Sequence, residues 1–257
     1  LVVVVMPGAV LPGPFEIAAR KTYGHVSDGM ICSERELGLG DDHDGIIVLT
    51  RKGFAEADLT PGQNVLPLLG LDEEILEINV TPARGYCFSV RGVAREYAHS
   101  TGAKFTDHGI RADLPAATDS GFAVQVQDQD SPLGAVGCDR FVTRIVRGID
   151  ATAPTPQWMA QRLEQAGMRS ISLAVDITNY VMLDLGQPLH AYDLSTMAAP
   201  IVVRRAAAGE ALETLDGQTR KLDPQDLLIT DSPEAGEGSR ILGVAGVMGG
   251  AATEVTE

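Results

Sequence analysis

Apolar positions along the chain fall in short runs cut by glycine and proline, a pattern that predicts many brief strands and few helices. Residues 1–6 are continuously apolar and stop at Pro7-Gly8, which predicts a buried strand. Residues 15–21 and 45–50 predict two more strands. Between them, Ser33 and Glu36 have capping-box spacing and Gly38 supplies a stop, so a short helix is expected. This block suits a small barrel, and it opens without turn or cap, as if cut from a longer chain. Residues 61–115 predict a strand over 76–80 and a helix over 89–100, where Val90, Val93, Ala94 and Tyr97 share a face and Gly102 follows. Residues 107–120 mix Asp, Gly, Pro and Thr and read as a linker. Farther on, 123–126 and 141–146 alternate like strands. Thr155-Pro156 opens a helix with Met159, Leu163 and Ala166 on one face and Gly167 at its end. Residues 172–175 predict a strand and 176–186 a helix stopped by Gly186. Strands over 201–205, 212–215, 227–230 and 241–244 follow, with Asp216-Gly217 as a hairpin turn. The expected class is α+β: a partial β-barrel over 1–60, a connecting α/β segment over 61–115, and a domain of mixed sheets with short helices over 116–257.

Composition narrows the functional classes. Gly 28, Pro 14 and only 5% aromatic residues exclude a coiled coil, a collagen or a disordered tail. No apolar run is long enough to cross a bilayer, and no basic residue precedes the opening run as in a signal peptide. The formal charge is −15, and the acidic excess runs through every segment. Nonspecific grip on a polynucleotide backbone is therefore disfavoured; any nucleic acid must be met by a local site. Cys32, Cys87 and Cys138 are widely scattered and are expected to be reduced thiols packed as small apolar groups in a cytoplasmic protein.

Three stretches invite a chemical reading. Asp41-Asp42-His43-Asp44 holds metal-ligating types, but adjacent residues cannot all converge on one ion, so a solvated loop is expected and no metal is assigned. In Gln187-Pro188-Leu189-His190-Ala191-Tyr192-Asp193, the Gly186 stop and Pro188 place His190 at a rigid corner. In Gly243-Val244-Ala245-Gly246-Val247-Met248-Gly249-Gly250-Ala251, glycines beside a strand let a backbone approach a ligand closely. The bland readings are a histidine bonded to a neighbouring loop and a tight turn between core strands.

In combination these stretches resemble one family, the beta subunit of bacterial phenylalanine–tRNA ligase. Gly8-Ala9-Val10-Leu11-Pro12-Gly13, Ser27-Asp28-Gly29-Met30-Ile31-Cys32-Ser33 and Asp41-Asp42-His43-Asp44-Gly45-Ile46-Ile47 look like the end of its OB-type tRNA-binding barrel. Glu77-Ile78-Asn79-Val80-Thr81-Pro82 and Ser89-Val90-Arg91-Gly92-Val93-Ala94-Arg95-Glu96 look like its next segment. Residues 176–180, 186–193 and 246–250 look like its editing domain. The resemblance implies a piece from the N-terminal half of a longer subunit. It implies an alpha-subunit partner in an α2β2 heterotetramer, tRNA as substrate, and no membrane. It places ATP and Mg2+ in the complete enzyme, with no cofactor in this fragment. It also implies hydrolysis of tyrosine wrongly attached to the tRNA, because a pocket for phenylalanine rejects an added hydroxyl weakly.

Carried over residue by residue, Thr178 and His190 match pocket positions, and Gly249 matches the wall that meets the tyrosine, extended here to Gly246 and Gly250. His190 is expected to orient the ester or the attacking water. The family's glutamate that reads the phenol lies beyond Glu257, and Glu254 and Glu257 come too early, so the isolated fragment is expected to be inactive. A free-standing tRNA-binding module and a structural scaffold are the alternatives. The family's Asn-Arg-Gly-Asp-Cys is here Ala83-Arg84-Gly85-Tyr86-Cys87.

Overall fold

The structure is a computed structural model that describes residues 1–253 apart from 41, 112, 115, 117, 119, 129–133, 135, 234 and 235. The elements in chain order are β1 (Val4–Val5), β2 (Val10–Leu11), β3 (Phe15–Glu16), β4 (Arg20–Thr22), β5 (His25–Ser27), β6 (Met30–Ile31), α1 (Val90–Thr101), β7 (Val124–Gln127), α2 (Gln157–Gln165) and α3 (Leu173–Leu185). They continue with β8 (Ile201–Arg205), β9 (Ala211–Glu213), β10 (Thr219–Lys221), β11 (Leu227–Asp231), β12 (Arg240–Val244) and β13 (Met248–Gly249). The class is mixed α+β. The chain forms two compact units, one from 1–79 with 155–171 and the other from 80–154 with 172–257.

In the first unit Val3, Ile47, Leu49 and Leu59 form a core closed by Leu37, Leu39, Phe54, Val65, Leu68 and Leu69. Each large side chain so buried contributes roughly 1.5–3 kcal/mol. Helix α2 belongs to this unit, although the sequence pattern groups it with the third segment, and it buries Met159 and Leu163. The expected capping box forms only in part: Glu36 accepts from the Ser33 N–H at 2.6 Å and from Ser33 Oγ at 2.9 Å, while the N-cap of the short 3-10 helix at Arg35–Leu37 is Glu34, without a side-chain cap bond.

The expected partial barrel is not present among the described residues. The strands make three separate antiparallel ladders, β1–β6, β2–β3 and β4–β5. Each strand is two or three residues long and has a single ladder partner. Residues 45–50, expected to be a strand, make only a bridge from Val48 to Val2 before turning into a 3-10 helix at Leu49–Lys52. The run 1–6 is only partly buried: Val3 is inside, but Val4 faces out.

The second unit is built on a five-stranded sheet of order β13-β12-β11-β8-β7, in which only the β7–β8 pair is parallel. Alternation gives it two apolar faces. Ile201, Ile229 and Leu242 pack one face with Phe122, Val124, Phe141, Tyr192, Met197 and Ala245. Leu228 packs the other with Ala206, Leu212 and Leu222, where the β9–β10 hairpin covers it.

Helix α1 forms where expected, with Ser89 Oγ capping Gly92 N. Residues 172–175 are not a strand but the cap and first turn of α3, with Asp176 N donating to Ser172 O at 2.8 Å. A short apolar run cannot separate a strand from a buried helix by periodicity. Residues 76–80 and 141–146 join no ladder among the described residues; the latter are held instead by Phe141 packing and by Thr143 Oγ1 donating to Phe122 O at 2.8 Å. Part of the expected linker at 107–120, together with Asp41, Glu254 and Glu257, lies outside the described residues.

Candidate functional site

Helix α3 ends at Gly186, whose φ of +75° is the left-handed stop expected from sequence. A Cβ there would meet Ser89 Oγ at 3.0 Å, so glycine also lets the α3 exit close on the α1 cap. The chain then runs outward to His190, which is exposed, and returns inward at Tyr192, which packs on the Ile201–Ile229–Leu242 cluster. The His190 and Tyr192 rings stack with centroids 6.3 Å apart at 22°. Placement of His190 thus comes from a half-buried neighbour as well as from the corner before it.

Electrostatics define its protonation state. Desolvation by the surrounding protein pushes the His190 pKa below its ordinary 6.5, with no charged partner contributing. The imidazole is therefore neutral near pH 7, able to accept or relay a hydrogen bond. Tyr192 is pushed up to about 12, first by burial and then by the Asp231 carboxylate, so its phenol keeps its proton.

The sequence reading missed the brace behind this loop. Asp231, fully buried at the end of β11, accepts from Ala198 N at 2.9 Å and from Arg240 Nε at 2.8 Å. Arg240 also donates to Thr196 O at 2.6 Å. The signal was available: an acidic residue closes one apolar strand and an arginine opens the next, a spacing that places them opposite each other in the ladder.

The glycine stretch forms the β12–β13 hairpin. Its turn is Ala245-Gly246, closed by Val247 N donating to Val244 O at 3.1 Å, with Gly246 left-handed at φ +69° and open space where a side chain would lie. Gly249 and Gly250 face packing instead. A Cβ on Gly249 would stand 3.1 Å from Leu215 Cδ1, and one on Gly250 would stand 2.9 Å from both Leu212 Cδ1 and Leu242 O. Gly249 O accepts from Leu215 N at 3.1 Å, and Gly250 N donates to Leu242 O at 2.6 Å. Close approach of the β9 segment accounts for these two glycines directly. Ala245, beside Gly246, packs on the same cluster as Tyr192, which draws the hairpin turn and the His190 loop to one face of the sheet. Thr178 lies mid-α3 and its hydroxyl donates to Val175 O at 2.7 Å within the helix.

The remaining candidates are bland. His43 and Asp44 are exposed side chains 3.5 Å apart, and Asp42 Oδ1 accepts from Asp44 N at 3.0 Å in a local turn. Among the described residues no group of three His, Cys, Asp or Glu is placed to hold a metal ion. Among the described residues no helix is long and apolar enough to cross a membrane. Cys32 is buried, and desolvation raises its pKa; Cys87 and Cys138 are only half-buried, less than expected.

Comparison with known proteins places these features in context. Residues 137–257 match the family model of the B3/4 domain, a span that contains His190, Thr178 and the glycine hairpin. The phenylalanine–tRNA ligase beta subunit of Bifidobacterium longum is 59% identical over 266 residues, covering 99% of this chain and 31% of that subunit. That of Leifsonia xyli is 59% identical over 259 residues, covering 99% and 30%. That of Thermobifida fusca is 57% identical over 257 residues, covering 100% and 29%. The chain thus spans less than a third of the length of these curated relatives.

Proposed function

The chain is a homologue of part of the phenylalanine–tRNA ligase beta subunit, and from that premise we propose that its second unit is an editing module that hydrolyses tyrosine from mischarged tRNA. The first unit, on this reading, contributes to tRNA binding. The observation that carries the reading is that identity near 59% spans the chain, through the B3/4 stretch that holds both His190 and the glycine hairpin.

The geometry supports the chemistry. Hydrolysis of an aminoacyl ester needs a positioned water and donors for the developing oxyanion more than it needs a strong base. A neutral His190, held by its stack on Tyr192, suits the task of orienting the ester or the water. The Gly246 turn leaves room for a substrate backbone, while Thr178, Gly249 and Gly250 are proposed to shape the pocket behind it. The ester is cleaved by water, so its acyl carbon gains the hydroxyl and the tRNA ribose leaves with the proton. Aminoacylation itself, with ATP and Mg2+, is assigned to the alpha subunit of an α2β2 assembly, and no residue of this chain is assigned to it.

The test uses the complete heterotetramer and preformed tyrosyl-tRNA. His190→Ala is expected to slow deacylation by about a hundredfold, in the range of a lost positioning or acid–base group, while phenylalanylation continues. Because desolvation lowers the His190 pKa from its ordinary 6.5, the wild-type rate should fall on acidification with a midpoint below pH 6.5. Unchanged deacylation in the variant removes His190 from the site.

A further inference from the structure

The β4–β5 hairpin carries an aromatic ring and uncompensated positive charge out of a chain whose formal charge is −15. Its register pairs Arg20 with Ser27, Lys21 with Val26 and Thr22 with His25. Side chains alternate across a strand, so Arg20, Thr22, His25 and Ser27 share one face. Every residue of both strands is exposed. That face therefore shows water a guanidinium, an imidazole and the Thr22 hydroxyl, side-chain groups that bond phosphate oxygens, while the Ser27 hydroxyl donates to Gly29 O at 3.1 Å. Among the described residues neither Arg20 nor Lys21 makes an ion pair.

The tip is the stronger observation. Tyr23 is 98% exposed. Its φ is +52° and that of Gly24 is +85°, so both turn residues are left-handed. Such a turn favours Asn, Asp or Gly at its first position; tyrosine enters it against steric resistance. The fold obtains no packing from the ring in exchange. Backbone strain kept at a fully exposed aromatic points to a ligand for that aromatic.

We propose that this hairpin is a contact for unpaired nucleotides of RNA, with a base stacked on Tyr23 and phosphates met by Arg20, Thr22 and His25. The identity of the nucleic acid as tRNA rests on the tRNA-binding reading above. An acidic polypeptide would satisfy the charges but offers no ring for Tyr23 to stack on. A local contact of this kind is also what an acidic chain needs, since its general field repels a polynucleotide.

The experiment is fluorescence anisotropy of a labelled, unacylated phenylalanine tRNA with the full 257-residue chain, at about 50 and about 200 mM salt. Tyr23→Asn separates the two roles of the tip. It relieves the turn, so its melting temperature should rise, yet it should weaken binding about tenfold at both salts through the lost stack. Tyr23→Phe should bind within about twofold of wild type, since the ring face remains. Arg20→Ala should flatten the slope of log affinity against log salt by about 0.7, as one lost contact to a single strand requires, whereas Lys21→Ala on the opposite face should leave it unchanged. Equal binding by wild type and all variants overturns the hairpin assignment and leaves the tRNA reading intact. No binding by wild type overturns both. Competition by polyglutamate as effective as by tRNA, with Tyr23→Asn unaffected, overturns it in favour of an acidic protein partner.

Discussion

Ala83 has φ +66°, a left-handed conformation that Asn adopts far more readily than Ala. This is the position at which the resembling family has Asn, so the departure has a direct conformational cost. Three residues on, Tyr86 occupies the place of the family's Asp. Its hydroxyl donates to Glu96 Oε1 at 2.6 Å and accepts from Arg84 Nη1 at 3.2 Å, joining the Arg84–Glu96 pair to the turn. The tyrosine thereby ties the segment before α1 to the helix itself. Ala83→Asn should raise stability by about 1 kcal/mol, read as a shift of the urea midpoint without a change of slope. A gain of zero would mean that neighbouring turns relax to absorb the strain.

Elements are where the sequence was most and least legible. Helices α1 and α3 announce their ends through Ser89, Gly102 and Gly186, because caps and stops act within one turn of the chain. The strands of the second unit are legible because Ile201, Ile229 and Leu242 alternate into a core. The ribbons of the first unit are not, because a strand of two residues has no period to read. The site divides the same way. His190 and Gly246 stand at corners that local chemistry marks. The Leu212 and Leu215 contacts that explain Gly250 and Gly249 come from a different hairpin and leave no trace in the local pattern. The Asp231–Arg240 pair is the opposite case, marked by an acid closing one strand and an arginine opening the next; it joins β11 and β12 and, through Thr196 and Ala198, the loop after His190. Arg240→Ala would leave a fully buried carboxylate without its cation and should cost about 3–5 kcal/mol in a denaturant titration. Arg240→Ala with Asp231→Leu should recover most of that loss, which distinguishes an orphaned charge from a lost shape contact.

At the scale of the molecule, the chain enters the second unit at residue 80, returns to the first for 155–171, and then crosses back. The first unit is therefore completed only by a helix that lies 75 residues or more beyond the rest of it. Within that unit α2 supplies Leu163, which is fully buried, and Gln165 Nε2 donates to Glu73 Oε2 at 2.9 Å. Gly70 meets the α2 side chain of Gln161 so closely that a Cβ there would overlap it. Among the described residues each unit has an apolar core of its own. A cavity at Leu163 should therefore be felt by one unit. Leu163→Ala should cost about 3 kcal/mol and speed amide hydrogen exchange across 1–79 and 155–171, with rates in 201–244 unchanged. Equal acceleration in the five-stranded sheet would show that the two units open as one cooperative body. In that case a substitution near α2 would also loosen the His190 loop, and the deacylation proposed for the second unit would fall together with stability.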